Sequence, residues 1–279
     1  MLVKQEKKQI PILMYHSIAQ STNPKFKQFA VPPALFAEHM TYLRQHSYTP
    51  INVTQLVRML SQESFALPER PVVLTFDDGF ADFYTNALPV LQQCGFTATL
   101  YIATGFIGST SRWLAREGEA TRPMLTWAQV NEIGACGIEC GGHTHWHPQL
   151  DTLPLAEARD EIVRCKKLLE DHSGQKVSSF AYPHGYHSAA IKRLVREAGY
   201  TSACVVGYAM SSTTTDPFAL ARLRMGADTS LDALAALLAQ PVPSVGTTIY
   251  KRFRTLGWRL VRRCSASVTR QLRGRLEGC

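Results

Sequence analysis

Pro71-Val72-Val73-Leu74-Thr75-Phe76 is an unbroken apolar run that stops on Asp77-Asp78-Gly79. A run of this length, rich in β-branched and aromatic residues, reads as a strand buried on both faces, and a glycine just beyond it lets the chain turn sharply. Further apolar runs lie at Ile10 to Tyr15, Thr97 to Ile102, Ile138 to Cys140, Val177 to Ala181 and Ser202 to Val206. Helical patterns lie between them. Thr126-Trp127-Ala128-Gln129 has the form of a capping box, with the helix predicted to end at Cys136-Gly137. Ser188 caps a helix that stops at Gly199, and Leu155 to Asp171 is periodic, with Gly174 soon after it. Strand–helix alternation of this kind predicts parallel strands. Periodicity alone is compatible with a barrel or with an open doubly wound sheet.

In a barrel of such units, functional groups gather at the C-terminal ends of the strands. His16, Asp77, Asp78, His143 and Tyr182 each follow an apolar run, so all are expected on one face. The second polar group, Gly141-Gly142-His143-Thr144-His145-Trp146-His147, also leaves a short Gly-rich turn. Neutral imidazoles with a carboxylate suit a divalent cation such as zinc, and a catalytic site keeps positions open for water and substrate. Asp78, His143 and His147 are the expected ligands. Adjacent side chains leaving a strand point in different directions, which leaves Asp77 as the general base. An Asp-Asp-Gly by itself also reads as a solvated turn or as the N-cap of a helix beginning near Phe80. The histidine cluster is harder to explain without a task, because polar residues are seldom stacked between apolar strands.

Thr75-Phe76-Asp77-Asp78-Gly79 together with His143-Thr144-x-x-His147-Pro148 resembles the polysaccharide deacetylases, the NodB-homology or carbohydrate esterase 4 family. Ile12-Leu13-Met14-Tyr15-His16, Leu125-Thr126-Trp127 and Phe180-Ala181-Tyr182-Pro183-His184-Gly185 extend the resemblance over residues 8 to 230. It implies a distorted, incomplete (β/α) barrel. Two features depart from the common pattern: Ala181 stands where many members carry Arg, and no late Leu-x-His follows His187. The chain is closer in this to the circularly rearranged branch that includes the poly-N-acetylglucosamine deacetylases. That resemblance gives the role of catalytic acid to His16, and Arg222 is the candidate for orienting Asp77.

The implied reaction is loss of acetate from N-acetylhexosamine units of a polysaccharide or glycoside, with zinc expected and cobalt, nickel or manganese also fitting. Asp77 takes the proton of the attacking water, the cation and the backbone N–H of Tyr182 hold the oxyanion, and His16 protonates the departing amine. Trp127, Tyr182 and Pro183 are expected against the substrate. Trp146 either walls the pocket or packs, and His145 faces the barrel wall or makes a supporting hydrogen bond; His184 and His187 carry no assigned role. The rival readings are a hydrolase of the same fold acting on a non-sugar amide or cyclic imide, and a catalytically silent carbohydrate-binding protein.

With 279 residues and 45% hydrophobic content the chain can bury one substantial core, here expected over residues 8–240, followed by a basic tail over 241–279. The seven cysteines are odd in number and scattered, which argues against a disulfide framework and for a reducing compartment. Met1 to Gln9 is short and charged, unlike a signal peptide. No segment approaches the roughly 20 apolar residues of a membrane span. Nine Lys or Arg between Lys251 and Arg275, with Glu277 beyond, account for the whole net charge of +8. Tyr250, Phe253, Leu256, Leu260, Val261, Cys264, Val268, Leu272 and Leu276 recur there at helical spacing, with Trp258 off the stripe. Such a segment reads either as a helix packed on the barrel with a solvated basic face or as an anchor, and the expectation is peripheral attachment of a cytoplasmic enzyme to the anionic inner face of the membrane. No nucleic-acid recognition motif accompanies the charge, and no nucleic-acid partner is expected.

Overall fold

The computed structural model describes residues 9–20, 23–61, 66–207 and 210–239. The strands are β1 (Gln9–Ile10), β2 (Ile12–Tyr15), β3 (Thr49–Ile51), β4 (Pro71–Phe76), β5 (Thr99–Ile102), β6 (Glu139–Gly142), β7 (Ser179–Ala181), β8 (Ser202–Gly207), β9 (Ser211–Ser212) and β10 (Leu220–Arg224). The helices are α1 (Pro33–Gln45), α2 (Val53–Ser61), α3 (Leu88–Cys94), α4 (Trp127–Ala135), α5 (Leu155–Ser173), α6 (Ala189–Glu197) and α7 (Leu231–Ala239). The basic tail expected over 241–279 lies outside the described residues.

β2 pairs in parallel with β10 on one side and with β4 on the other. That double pairing closes the order β2-β10-β8-β7-β6-β5-β4 into a ring. The ring has seven strands where the (β/α) barrel has eight. β3 lies against the first half of β4, Pro71 to Val73, while β5 takes over at Thr75. The barrel is therefore incomplete and irregular at that seam. A short antiparallel pair, β1 with β9, stands apart from the ring.

The alternation of side chains along each strand sorts them into two layers. Val72, Leu74 and Phe76 of β4 pack outward against the helices with Phe36, Met40 and Leu91, whereas Val73 packs inward with Ile12, Tyr101, Ala181, Cys204 and Leu220. The same period places Glu139, Gly141 and His143 on the inner side of β6. Low in the barrel, Glu139 accepts hydrogen bonds from the hydroxyls of Thr99 at 2.7 Å and Ser179 at 3.0 Å, and from the hydroxyl of Thr54 at the start of α2. The next interior position must be glycine. A Cβ on Gly141 would come within 2.6 Å of the Tyr101 ring and 2.9 Å of Ser179 Oγ. The capping box expected at Thr126 and Gln129 is formed, and Ser188 caps α6. The helix anticipated near Phe80 starts as a π-helical segment, Phe83–Ala87, that runs directly into α3 at Leu88.

Gly141→Ala should cost about 1–3 kcal/mol through overpacking of the barrel interior. Thermal unfolding should then show the midpoint falling by about 2–4 °C per kcal/mol. Gly134→Ala, in α4 with nothing nearer than Gln175 Nε2 at 3.9 Å, should leave the midpoint unchanged or raise it slightly. Equal behaviour of the two variants would contradict the packing described at Gly141.

Candidate active site

Asp77 leaves β4 pointing inward, with its N–H donating to Tyr15 O at 3.0 Å. Arg222, in the middle of β10, reaches it past β2, the strand between them. Its guanidinium forms a two-pronged pair with the carboxylate, Nη1 to Oδ1 at 2.6 Å and Nη2 to Oδ2 at 2.7 Å. Nη1 also donates to Thr75 Oγ1 at 3.2 Å and Nε to Val205 O at 3.3 Å. The arginine is 0% and the carboxylate 3% exposed, so this is a buried ion pair whose remaining hydrogen bonds are satisfied. Burial alone would raise the Asp77 carboxyl, but the charges of Arg222 and His143 outweigh it and hold the group below its ordinary value.

Asp78 turns the other way because its backbone is left-handed, φ 78°, followed by Gly79 at φ 86°. Its Oδ1 lies 3.4 Å from His143 Nε2 and 3.2 Å from His147 Nε2. His143 Nδ1 is 2.8 Å from Ala181 O, so that nitrogen carries the proton and Nε2 presents its lone pair to Asp78. A lone pair and a carboxylate oxygen facing each other need positive charge between them. Burial alone would lower the His143 pKa, yet the carboxylates of Asp77 and Asp78 raise it. A bound cation and a proton are alternative sources of that charge. One ligand atom from each of Asp78, His143 and His147 lies within 4.8 Å of the others, and all three residues are buried. Two imidazoles and a carboxylate fit a divalent cation with open positions. His147 Nδ1 is buried with no hydrogen-bond partner among the described residues.

His16 follows β2 on the same face, with its ring edge-on to Phe29 at 5.1 Å. Burial lowers its pKa, and the carboxylates of Asp78 and Asp77 oppose the shift. The next residues are tied to the Asp loop: Asp82 accepts from Ser17 Oγ at 2.6 Å and from the Ile18 N–H at 3.0 Å, and Arg122 donates to Ser17 Oγ at 2.6 Å. Arg122 also lies over the Phe26 ring at 4.6 Å. Sequence reading missed this brace. It also missed Trp113, 5.4 Å from the His147 ring, and gave no place to His184, 4.8 Å from it on another side.

Two expectations are corrected. The Tyr182 N–H donates to Cys204 O at 3.1 Å as part of the pairing between β7 and β8, so it does not face an oxyanion. Its side chain is fully buried, stacks on His187 at 4.9 Å and donates to Phe218 O at 3.3 Å, which removes it from substrate contact as well. Trp127, at the start of α4, is half-buried and stacks face to face on His172 at 3.8 Å, an interhelical contact that engages one face of its ring. Pro183 is buried in the turn after β7. His145 bonds Thr104 through Nδ1, with Oγ1 at 2.9 Å, in line with the supporting role foreseen for it. Trp146 is 51% exposed and meets Phe106 edge-on at 5.3 Å.

The family model described as "Polysaccharide deacetylase" matches residues 66–203. The Bacillus subtilis (strain 168) protein YxkH, whose name places it among the polysaccharide deacetylases, is 29% identical over 237 residues, which is 85% of this chain and 78% of that one. The poly-β-1,6-N-acetyl-D-glucosamine N-deacetylase of Escherichia coli (strain K12) is 29% identical over 119 residues, 41% of this chain but 18% of that protein. Among solved structures, the Streptococcus pyogenes deacetylase PplD in complex with acetate superposes with a TM-score of 0.72 at 26% identity, covering 84% of this chain and all of that one. A buried carboxylate–arginine pair beside an Asp-His-His group, at the C-terminal end of a seven-stranded parallel barrel, agrees with these matches, and the chain belongs to the polysaccharide deacetylase family of carbohydrate esterase 4 hydrolases.

Proposed function

We propose that the protein is a metal-dependent N-deacetylase that removes acetyl groups from N-acetylhexosamine units of a glycan, releasing acetate. The observation that carries the reading is the division of labour between adjacent carboxylates: Asp77 is paired with Arg222, and Asp78 with two imidazoles. A cation held by Asp78, His143 and His147 would supply Lewis acidity to the acetyl carbonyl and to the attacking water. Asp77 accepts the proton of that water, and its pairing with Arg222 keeps the carboxylate ionised and fixed in direction. His16 delivers a proton to the departing amine. Its lowered pKa makes the imidazolium a stronger donor once formed. Trp113 and His184 flank His147 and would bound the opening through which a sugar enters. The N-acetylglucosamine polymer in the name of the Escherichia coli relative supports a β-linked N-acetylglucosamine chain as substrate. The chain matches 18% of that protein, so its whole activity does not carry over.

Acetate released from N-acetylglucosamine oligomers, peptidoglycan fragments and simple acetamides, measured on metal-loaded protein, tests the substrate class. Activity on acetamides with none on the sugars would favour a non-sugar amidase. Asp77→Asn should keep the bound ion and lower kcat about 10²- to 10⁴-fold. Asp78→Asn should lose the ion, as read by metal analysis. The opposite pattern would exchange the two roles.

His16→Ala should slow amide substrates by about 10²-fold or more, and an activated acetate ester much less, because an ester leaving group needs little protonation. Equal losses on both substrates would leave His16 without a role as acid.

For the basic segment we propose peripheral attachment to anionic lipid on the inner face of the membrane. The support is its charge and its apolar stripe, with each basic residue near the surface worth about 1 kcal/mol. Full-length protein should co-sediment with anionic liposomes at low salt and release at high salt, and deletion of residues 247–279 should abolish binding. Binding unchanged by the deletion would refute the assignment.

A further inference from the structure

The ligand candidates His143 and His147 are joined by Thr144-His145-Trp146, and this short bridge carries unusual backbone geometry: Thr144 lies at φ 66° and His147 at φ 54°. Left-handed conformations are unfavourable for residues with a side chain, so something must hold the bridge in place. The 3₁₀ turn Thr104–Phe106 secures one side. The Thr104 N–H donates to Thr144 O at 3.2 Å and the Gly105 N–H to His145 O at 2.7 Å. The Thr144 hydroxyl secures the exit by accepting the His147 N–H at 3.0 Å. The N–H groups of His145 and Trp146 are held from another element. Both donate to one atom, Glu161 Oε2, at 2.9 and 2.7 Å.

Glu161 sits on α5 beside the inward stripe Ala158, Ile162, Cys165 and Leu169. That stripe anchors the helix to the barrel, with Cys165 Sγ 3.6 Å from Ile102 O at the end of β5. The half-buried carboxylate is therefore carried by a rigid, packed element and touches neither the Asp78 carboxylate nor either imidazole.

We propose that Glu161 is a positioning residue: by accepting two successive N–H groups it locks the 143–147 bridge in its left-handed course, so that the His143 and His147 imidazoles converge on Asp78. The inference rests on reading Asp78, His143 and His147 as a metal site, and goes beyond it by placing the preorganisation of that site in a helix that supplies no ligand. Loss of a group that orients metal ligands typically weakens binding about 10- to 100-fold.

Three variants test it. Glu161→Met fills the same space without an acceptor, Glu161→Asp keeps the charge but withdraws it by one methylene, and Glu161→Gln keeps an acceptor oxygen without the charge. Zinc affinity, measured by calorimetric titration, should fall about 10- to 100-fold in Glu161→Met. It should also fall in Glu161→Asp and stay within about threefold of wild type in Glu161→Gln. In the metal-free protein, the His145 and Trp146 amide protons should exchange at least about tenfold faster in Glu161→Met than in wild type or Glu161→Gln. Protection retained in Glu161→Met, or a zinc affinity within about twofold of wild type, overturns the inference; so does a Glu161→Gln affinity as weak as that of Glu161→Met, which would assign the effect to charge alone. If Glu161→Met does not fold, Glu161→Asp decides by the same two measurements. Failure of wild-type protein to take up zinc would instead refute the metal reading, and the exchange measurement still reports on the clamp.

Discussion

A guanidinium and a carboxylate inside a barrel are each expensive to bury, and Arg222 and Asp77 are there only because they face each other with two short hydrogen bonds. The pair dictates much of its surroundings. Thr75 must offer a hydroxyl and Val205 a carbonyl, since the other guanidinium N–H groups would otherwise have no partner. β10 must stand beside β2, next to the strand that carries Asp77, for the arginine to reach across. Removing either partner would leave an uncompensated buried charge, typically a loss of about 3–5 kcal/mol. The proposed general base and the stability of the barrel thus share one contact.

Around that contact the backbone is held in conformations it would not choose locally. Asp78, Thr144, His147 and His184 have left-handed φ values, and every one lies in a loop leaving the C-terminal end of a strand. Each such residue costs about 1–3 kcal/mol unless its surroundings compensate, although Asp and His tolerate the region better than most. Compensation is visible where it is needed. Thr104, Gly105, the Thr144 hydroxyl and Glu161 hold the histidine bridge from three sides, and the Asp82–Ser17–Arg122 brace ties the loop after His16 to the loop after Asp78. Side chains that converge from separate loops keep their geometry because those loops are bonded to one another.

Much of this was legible in the residues. The apolar runs located β2, β4, β5, β6, β7 and β8 to within a few residues, because a strand buried on both faces has a composition that little else has. The pairing of Asp-Asp-Gly with His-x-x-x-His pointed to a clustered site, and the structure brings those residues together. β3 and β10 escaped notice. β3 is only three residues long and includes Pro50, and β10 has arginine at its centre, which looks like a surface position until Asp77 is opposite. Tyr182 was assigned by family position, and its error has a physical cause: whether an N–H is available depends on a neighbour that comes from β8, a separate strand.

The sequence by itself determined the strand–helix alternation, the face on which His16, Asp77, Asp78 and His143 emerge, and the chemistry these side chains can perform, because period, turn residues and donor type are local properties. The tertiary structure decided what depends on distance: that seven strands close through β2, that Arg222 meets Asp77, that Glu161 reaches the bridge between two histidines, and that Tyr182 and Trp127 are already engaged. The physical reason is that hydrogen bonds and ion pairs act over about 3 Å, and residues more than a hundred positions apart come within that range only once the barrel has closed.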